Sequence, residues 1–204
     1  MNAAVTIDLL RHGETGQDGF RGSLDDALTP HGWEQMRAAV QRAGPRGAII
    51  SSPMVRCAVF AAGIAQDNAI PLHIDERLRE LHFGQWEGLT ASELMHTQPE
   101  ALTQFWSDPY AHSPPDAESL EAFESRVLSA WSDIARHHAG CRVLIVTHGG
   151  VIRMILRHTR GLPRASLLQL DVPHASLHRV GAPDSLAETQ DSLAETQDEG
   201  KSPK

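Results

Sequence analysis

An arginine and a histidine stand side by side at Arg11 and His12, directly after the apolar run Val5 to Leu10. A guanidinium group matches the oxygens of a phosphate group, and a neutral imidazole nitrogen can attack phosphorus. Gly13 follows and would let the backbone approach a bound anion closely. The pair therefore indicates chemistry on a phosphate group, although such a short motif also occurs in ordinary polar loops.

A second histidine, His148, occupies an equivalent place after the apolar run Val143 to Val146. Gly149 and Gly150 follow it and open a segment that we expect to be helical. The N-terminus of a helix presents free N–H groups and a partial positive charge, which suit an anion. Taken alone, His148 is also compatible with a structural loop histidine, but two histidines at the ends of two strands support a shared site.

Arg56 lies in the first turn of the helix that we expect after Ser52-Pro53. A cation at a helix N-terminus opposes the helix dipole, so an anion should compensate it, and a bound phosphate group would do so. The alternatives are an arginine that points to solvent and one that pairs with a nearby acid.

A phosphate ester also needs a proton for its leaving oxygen, and a carboxylic acid can supply it. Glu80 and Glu87 are the candidates, because both lie in a stretch of aromatic residues and glycines typical of a loop that lines a site. The alternative is an ordinary surface acid that pairs with Arg77 or Arg79.

The elements that carry these residues alternate along the chain, which predicts an α/β fold with a mainly parallel sheet and helices on both faces, a three-layer sandwich. Strands are expected at Val5 to Leu10, Ala48 to Ser51 and Val143 to Val146, and helices are expected from Thr29-Pro30 to about Arg42, from Ser52-Pro53 to about Gln66, and after Ser119. A last strand or hairpin is expected from Leu167 to Leu170 and Ser176 to Val180. Ligands bind beyond the carboxyl ends of strands in such sheets, where the candidate residues lie.

The chain divides into one domain, residues 1–183, and a tail, residues 184–204. Residues 81–117 contain several prolines and glycines and a predicted pair of short helices, and we interpret them as an insertion that covers the pocket. The tail repeats the heptad DSLAETQ at 184–190 and 191–197, and its polar composition predicts disorder.

The net charge of −8 argues against a nucleic-acid partner and against acidic membranes. No apolar run reaches the length of a membrane span, and the first residues do not resemble a signal peptide. With two cysteines far apart and no ligand-like spacing among twelve histidines, we expect a cytoplasmic protein without a metal or another cofactor.

Four segments together resemble the histidine phosphatase superfamily, also called phosphoglycerate-mutase-like: RHGE from Arg11, SSPxxR ending at Arg56, ELHFGxWEG from Glu80 and THGG from Thr147. The resemblance extends from about Thr6 to His158. It implies that His12 is the nucleophile that becomes phosphorylated, that Arg11, Arg56 and His148 hold the phosphoryl oxygens, and that Glu80 donates the proton. His148 would then act as a protonated or donating partner, and the arginines would supply the charge that a metal provides elsewhere.

The sequence departs from the family pattern at Asp18, where an asparagine is usual, and at Asp116-Ala117-Glu118-Ser119, which replaces the frequent Gly-Gly-Glu-Ser. An ionised Asp18 that faced the phosphate would weaken its binding.

The loop from Phe20 to Pro30 resembles that of bacterial α-ribazole phosphatases, which act late in cobalamin assembly. The short first loop and modest insertion favour a phosphatase of a small phosphorylated metabolite over a mutase, which must enclose its intermediate more completely. The alternatives are a phosphosugar or phosphoglycerate phosphatase or mutase and, from another class, a non-catalytic phosphate-binding module. The oligomeric state is left open.

Overall fold

The sheet has five strands, and the computed structural model describes residues 5–41, 44 and 46–182. The strands are β1 (Val5–Arg11), β2 (Ala48–Ser51), β3 (Leu72–Ile74), β4 (Arg142–Thr147) and β5 (Leu177–Ala182). The α-helices are α1 (Pro30–Gln41), α2 (Val55–Asn68), α3 (Ala91–Thr97), α4 (Pro99–Ser107), α5 (Leu120–His137) and α6 (Gly149–Thr159). Short 3₁₀ helices cover Glu76–Leu78, Gly84–Trp86 and Arg164–Gln169.

The strand order is β3-β2-β4-β1-β5, and only β5 pairs antiparallel with its neighbour. In the parallel register Arg11 lies opposite Thr147, and Ser51 lies opposite Val146. The carboxyl ends of β1, β2 and β4 therefore meet at one edge of the sheet, as the sequence predicts. The loops that follow these three strands begin side by side.

Alternate residues of the strands face opposite sides of the sheet, and each side is covered by helices. Ile7 and Leu9 belong to a cluster with residues of α5 and α6, whereas Leu10 belongs to one with residues of α1 and α2. Burial of both faces explains why the central strands are mainly apolar. The buried carboxylate of Asp8 in β1 is the exception, and it forms ion pairs with Arg142 and Arg179. The predicted α/β fold with helices on both faces is confirmed.

Most element bounds agree with the sequence-based prediction within three residues. Ser119 caps α5 as predicted, since its hydroxyl oxygen accepts a hydrogen bond from the backbone N–H of Ala122. The predicted pair of short helices within residues 81–117 is confirmed as α3 and α4. Residues 184–204, predicted to be disordered, lie outside the described residues.

The predicted strand from Leu167 to Leu170 is wrong. Three of its four residues lie in the 3₁₀ helix Arg164–Gln169, in which Leu167 is buried and Leu168 is exposed. A short apolar run does not distinguish a strand from a helical turn, and here β5 alone fills the edge beside β1. Strand β3 was not predicted, because it has only three residues, two of them exposed, and forms no apolar run. In the described part of the chain, no helix has the length and apolar character needed to cross a membrane.

Candidate active site

His12 lies at the end of β1 and is buried, with 8% of its surface exposed. Its Nδ1 donates a hydrogen bond to the carbonyl oxygen of Gly13 at 2.8 Å, because a carbonyl can only accept. Burial, together with the positive charges of Arg56 and Arg11, lowers the pKa of His12 to about 3. The ring is therefore neutral near pH 7, and Nε2 carries the lone pair that a nucleophile requires.

Arg11 is held by the segment that precedes β5. One terminal nitrogen donates to the carbonyl oxygen of Val172 at 2.6 Å, and the other lies 2.9 Å from Nε2 of His174. Its Nε is buried and has no hydrogen-bond partner among the described residues. Because buried donors are normally satisfied, this N–H is available to an oxygen of a bound ligand.

Arg56 lies in the first turn of α2, as predicted, and is 2% exposed. Its terminal nitrogens donate to the carbonyl oxygens of Leu24, Arg21 and Gly22 at 2.7 to 3.2 Å. The positive charge of Arg56 thus faces carbonyl dipoles of the first loop. The two alternatives, an arginine that points to solvent and one that pairs with a nearby acid, are therefore wrong. The carboxylate of Asp25 instead accepts a hydrogen bond from the backbone N–H of Val55 at 2.7 Å, at the start of α2.

His148 follows β4 and is completely buried, with its ring centroid 5.3 Å from that of His12. Its Nδ1 accepts a hydrogen bond from Nε of Arg56 at 3.2 Å, so its proton lies on Nε2, 2.7 Å from the hydroxyl oxygen of Ser52. Burial and the positive charge of Arg56 lower the pKa of His148 well below its usual range. In this arrangement His148 is a neutral donor rather than a protonated one, and Ser52 receives its hydrogen bond.

Glu80 reaches the same site from the loop after the first 3₁₀ helix. Its carboxylate accepts hydrogen bonds from the backbone N–H groups of Leu81 and Gly150, each at 3.0 Å. The alternative of surface ion pairing is wrong, because Arg77 pairs with Asp75 and Asp133. Arg79 pairs with Glu76 in the same way. The carboxylate is therefore directed to the N-terminus of α6 and the cavity.

Glu87, the other candidate acid, has a structural position. Its carboxylate accepts hydrogen bonds from the backbone N–H groups of Gly22, Ser23, Leu24 and Phe83 at 2.9 to 3.4 Å. It thereby holds the loop whose carbonyl oxygens contact Arg56. Glu87 does not line the cavity that contains Glu80.

A cavity of about 500 Å³ opens above these groups and is lined by Arg11, His12, Arg56 and Glu80. His148 lies beneath this floor, and Asp18 contributes an exposed side chain to the lining. Asp26 also lines the cavity but is paired with Arg21.

Two further cavity residues, Arg153 and His174, were not predicted. The ring centroid of His174 lies 5.4 Å from that of His12. Nη1 of Arg153 lies 3.1 Å, and Nε of Arg11 3.4 Å, from the point where a Cβ on Gly149 would stand. Helical spacing from Gly149 could have indicated Arg153. No pattern in the sequence connects His174 with the other groups.

The segment Asp116 to Ser119 supports Glu80 indirectly. Glu118 forms a two-pronged ion pair with Arg126, both contacts being 2.7 Å. Arg126 also donates to the carbonyl oxygens of Arg77, Arg79 and Glu80 at 2.7 to 3.0 Å. Three hydrogen bonds from Arg126 thus hold the turn that presents Glu80, and the ion pair with Glu118 holds Arg126.

No group of three or more His, Cys, Asp or Glu side chains within residues 5–182, apart from 42, 43 and 45, is arranged to hold a metal ion. The positive charge at the cavity floor is carried by Arg11 and Arg56.

Comparison with known proteins agrees with this geometry. The sequence model of the histidine phosphatase superfamily (branch 1) matches residues 7–190. The chain belongs to this family. It is 34% identical over 175 residues to a bifunctional protein of Mycobacterium tuberculosis, a match that covers 83% of this chain; the chain spans about half (48%) of that relative's length.

Two further similarities cover most of both proteins. The chain is 34% identical over 175 residues to a metal-independent phosphoserine phosphatase of Arabidopsis thaliana, a match that covers 81% of this chain and 74% of the relative. The solved structure of an α-ribazole phosphatase from Shigella flexneri superimposes with a TM-score of 0.74 at 26% identity, covering 85% of this chain and 89% of the other.

Proposed function

We propose that this protein hydrolyses a phosphate monoester of a small metabolite through a phosphohistidine at His12. The observation that carries the proposal is the floor of one cavity. It combines a neutral histidine whose Nε2 bears the lone pair, an arginine Nε without a partner among the described residues, and the carboxyl group of Glu80.

In the first half of the reaction, Nε2 of His12 attacks phosphorus. The P–N bond forms as the P–O bond to the leaving group breaks, and the leaving oxygen takes the proton of the Glu80 carboxyl group. Arg11 and Arg56 stabilise the negative charge on the phosphoryl oxygens, with His148 beside them. Nδ1–H of His12 keeps its hydrogen bond to Gly13 and orients the ring throughout.

In the second half, water attacks the phosphohistidine. The carboxylate of Glu80 accepts the proton of the water, the P–N bond breaks, and inorganic phosphate and neutral His12 result. The hydrogen bonds from Leu81 and Gly150 hold this carboxylate in place for both proton transfers. The arginines supply the positive charge for both halves.

A single-turnover experiment with a ³²P-labelled phosphate monoester tests the proposal. We expect a transient, acid-labile label on the protein that is absent from His12→Ala and present in His31→Ala, a matched variant at an exposed histidine. A chelator should leave the turnover rate unchanged. A protein that binds phosphate tightly without acquiring label would instead be a non-catalytic phosphate-binding module.

Among substrates, we propose α-ribazole 5'-phosphate, as formed in cobalamin assembly. The support is the loop from Phe20 to Pro30 and the likeness to the Shigella flexneri structure, which is named an α-ribazole phosphatase. Phe20 and Arg21 of this loop line the cavity, and its carbonyl oxygens fix Arg56. A loop in this position would contact the part of a bound substrate next to the phosphate group, which supports the proposal.

A second candidate is a phosphorylated hydroxy acid such as phosphoserine or phosphoglycerate. The observation in its favour is Arg153, whose Nε donates to the carbonyl oxygen of Leu170 while Nη1 lies close to Arg11. A guanidinium there could hold a carboxylate beside the phosphate group. The relative named as a phosphoserine phosphatase agrees with this class.

The two candidates are separated by kcat/KM for α-ribazole 5'-phosphate, phosphoserine and 3-phosphoglycerate. Preference for the first supports the α-ribazole assignment, and preference for either acid, reduced in Arg153→Gln, supports the second. Conversion of 3-phosphoglycerate to its 2-isomer without release of phosphate would identify a mutase instead.

A further inference from the structure

Beyond the phosphate-binding floor, the walls of the cavity are apolar and largely aromatic. Six of the residues that form them are Phe20, Phe83, Trp106, Phe123, Leu167 and Leu168. They come from the first loop, the insertion, α5 and the last 3₁₀ helix, so the surface is assembled by the tertiary structure.

Two of these wall residues expose apolar surface to solvent. Trp106 is 47% exposed and Leu168 is 38% exposed, whereas most of the large apolar side chains in the described residues are buried. Solvent-exposed apolar surface that lines a concave site is typical of a binding surface for an apolar group.

The aromatic surface begins next to the proposed proton donor. Oε1 of Glu80 and Cζ of Phe123 lie 2.3 and 3.4 Å from the point where a Cβ on Gly150 would stand. A leaving oxygen that takes its proton from Glu80 therefore lies beside the ring of Phe123. From that point the apolar walls line the space beyond the ester oxygen.

The segments that carry Trp106 and Leu168, the two exposed wall residues, are connected through Glu124. Tyr110, three residues beyond α4, donates to Glu124 at 3.0 Å, and the guanidinium group of Arg164 lies 4.3 Å from the centre of the Tyr110 ring. Arg164 also forms an ion pair with Glu124 at 3.0 Å. These contacts join the end of α4, which carries Trp106, to the 3₁₀ helix that carries Leu168. The spacing between the walls is thus set before a ligand binds, which reduces the cost of ordering them.

From these contacts we infer that the surface formed by Trp106, Phe123 and Leu168 is a leaving-group subsite that binds an aromatic ring. The inference rests on the proposed function, because the subsite is defined by the position of Glu80. Aromatic walls favour a flat ring, which they contact by stacking and edge-to-face packing. The substrate class is a phosphate monoester whose alcohol carries an aromatic group near the ester oxygen.

The test compares three synthetic monoesters of primary alcohols with similar leaving-group acidity: 2-phenylethyl, 2-cyclohexylethyl and butyl phosphate. We expect kcat/KM to be about tenfold higher for the phenylethyl ester than for the butyl ester, from the additional apolar area buried. The cyclohexylethyl ester buries a similar apolar area but has no aromatic face for stacking, so its kcat/KM should lie between the two. Equal kcat/KM values for the phenylethyl and butyl esters would overturn the inference. Equal kcat/KM values for the phenylethyl and cyclohexylethyl esters would also overturn it.

Trp106→Ala should remove most of the preference for the phenylethyl ester, because kcat/KM for this ester should fall several-fold more than kcat/KM for the butyl ester. Met95→Ala is the matched control, because Met95 is 43% exposed on the same insertion and does not line the cavity. Leu168→Ala, on a different element, provides a second variant if Trp106→Ala does not fold. A loss shared equally by all three esters would show that these side chains do not select the leaving group. The ³²P label on His12 is measured in the same variants, so a failure of the phosphohistidine mechanism is distinguished from a failure of the subsite.

Discussion

Nε of Arg56 donates a hydrogen bond to Nδ1 of His148 across 3.2 Å, between residues 92 positions apart. The contact assigns the proton of His148 to Nε2 and holds its ring from one side, while Ser52 holds it from the other. Since burial keeps both His148 and His12 neutral, the positive charge at the cavity floor comes from the guanidinium groups. The predictions below depend on this division of roles.

Arg56→Lys keeps the charge but cannot reproduce a planar group that contacts three carbonyl oxygens and an imidazole at once. We expect kcat/KM for a phosphate monoester to fall roughly 100-fold, the magnitude typical of losing one oriented donor to the transition state. Arg37→Lys, at an exposed arginine, should leave kcat/KM unchanged. An activity of Arg56→Lys within twofold of wild type would contradict the assigned role.

Gly150→Ala places a Cβ 2.3 Å from Oε1 of Glu80, so the carboxylate must move. We expect kcat to fall at least about tenfold, because displaced proton donors lose much of their catalytic effect. Gly63→Ala is the matched control within helix α2, where a Cβ meets nothing closer than 4.0 Å and alanine should stabilise the helix by about 0.5–1 kcal/mol. Thermal unfolding of both variants shows whether the loss of activity of Gly150→Ala is separate from stability.

Arg126→Gln removes the hydrogen bonds that hold the turn before and at Glu80. We expect kcat/KM for butyl phosphate to fall roughly tenfold, and much less for p-nitrophenyl phosphate, whose leaving oxygen needs no proton. Glu80→Gln should show the same dependence on the leaving group. Arg136→Gln, an exposed variant on the same helix, serves as the control. Equal losses for both esters would show that Arg126 acts on the fold in general and not on the proton donor.

The pH dependence of stability follows from the lowered pKa of His12. Its value falls from 6.5 to about 3 on folding, so below pH 6.5 the unfolded chain binds a proton that the folded chain does not. The free energy of unfolding should therefore decrease as the pH falls from 6.5 towards 3, by up to about 1.4 kcal/mol per pH unit for each such histidine.

Urea unfolding at pH 7 and pH 5 measures this effect. His12→Asn should show a smaller difference between the two pH values than wild type, whereas His31→Asn, at an exposed position, should not. If the free energy of unfolding fell equally for His12→Asn and wild type between pH 7 and pH 5, the buried histidine would not be excluding a proton. The lowered pKa of His12 should also affect the pH dependence of activity, because the ring stays neutral and available for attack well below pH 6.

The sequence alone determined the framework of the site. Apolar runs fixed the central strands, cap residues fixed the helix starts, and parallel strands necessarily bring their carboxyl ends to one edge. Arg11, His12 and His148 directly follow two such strands, and Arg56 lies in the first turn of the helix after a third. Their convergence in one site was therefore predictable without any knowledge of side-chain contacts.

Only the tertiary structure distinguished the positions of Glu80 and Glu87, of which Glu80 alone lines the cavity. The two carboxylates lie in one segment, and their surroundings differ: that of Glu80 is directed to the N-terminus of α6, and that of Glu87 to the amides of the first loop. Likewise, His174, Arg153 and the aromatic walls reach the cavity from elements far apart in the chain. The physical reason is that local pattern specifies burial and capping, whereas side-chain partners depend on how distant segments pack against each other.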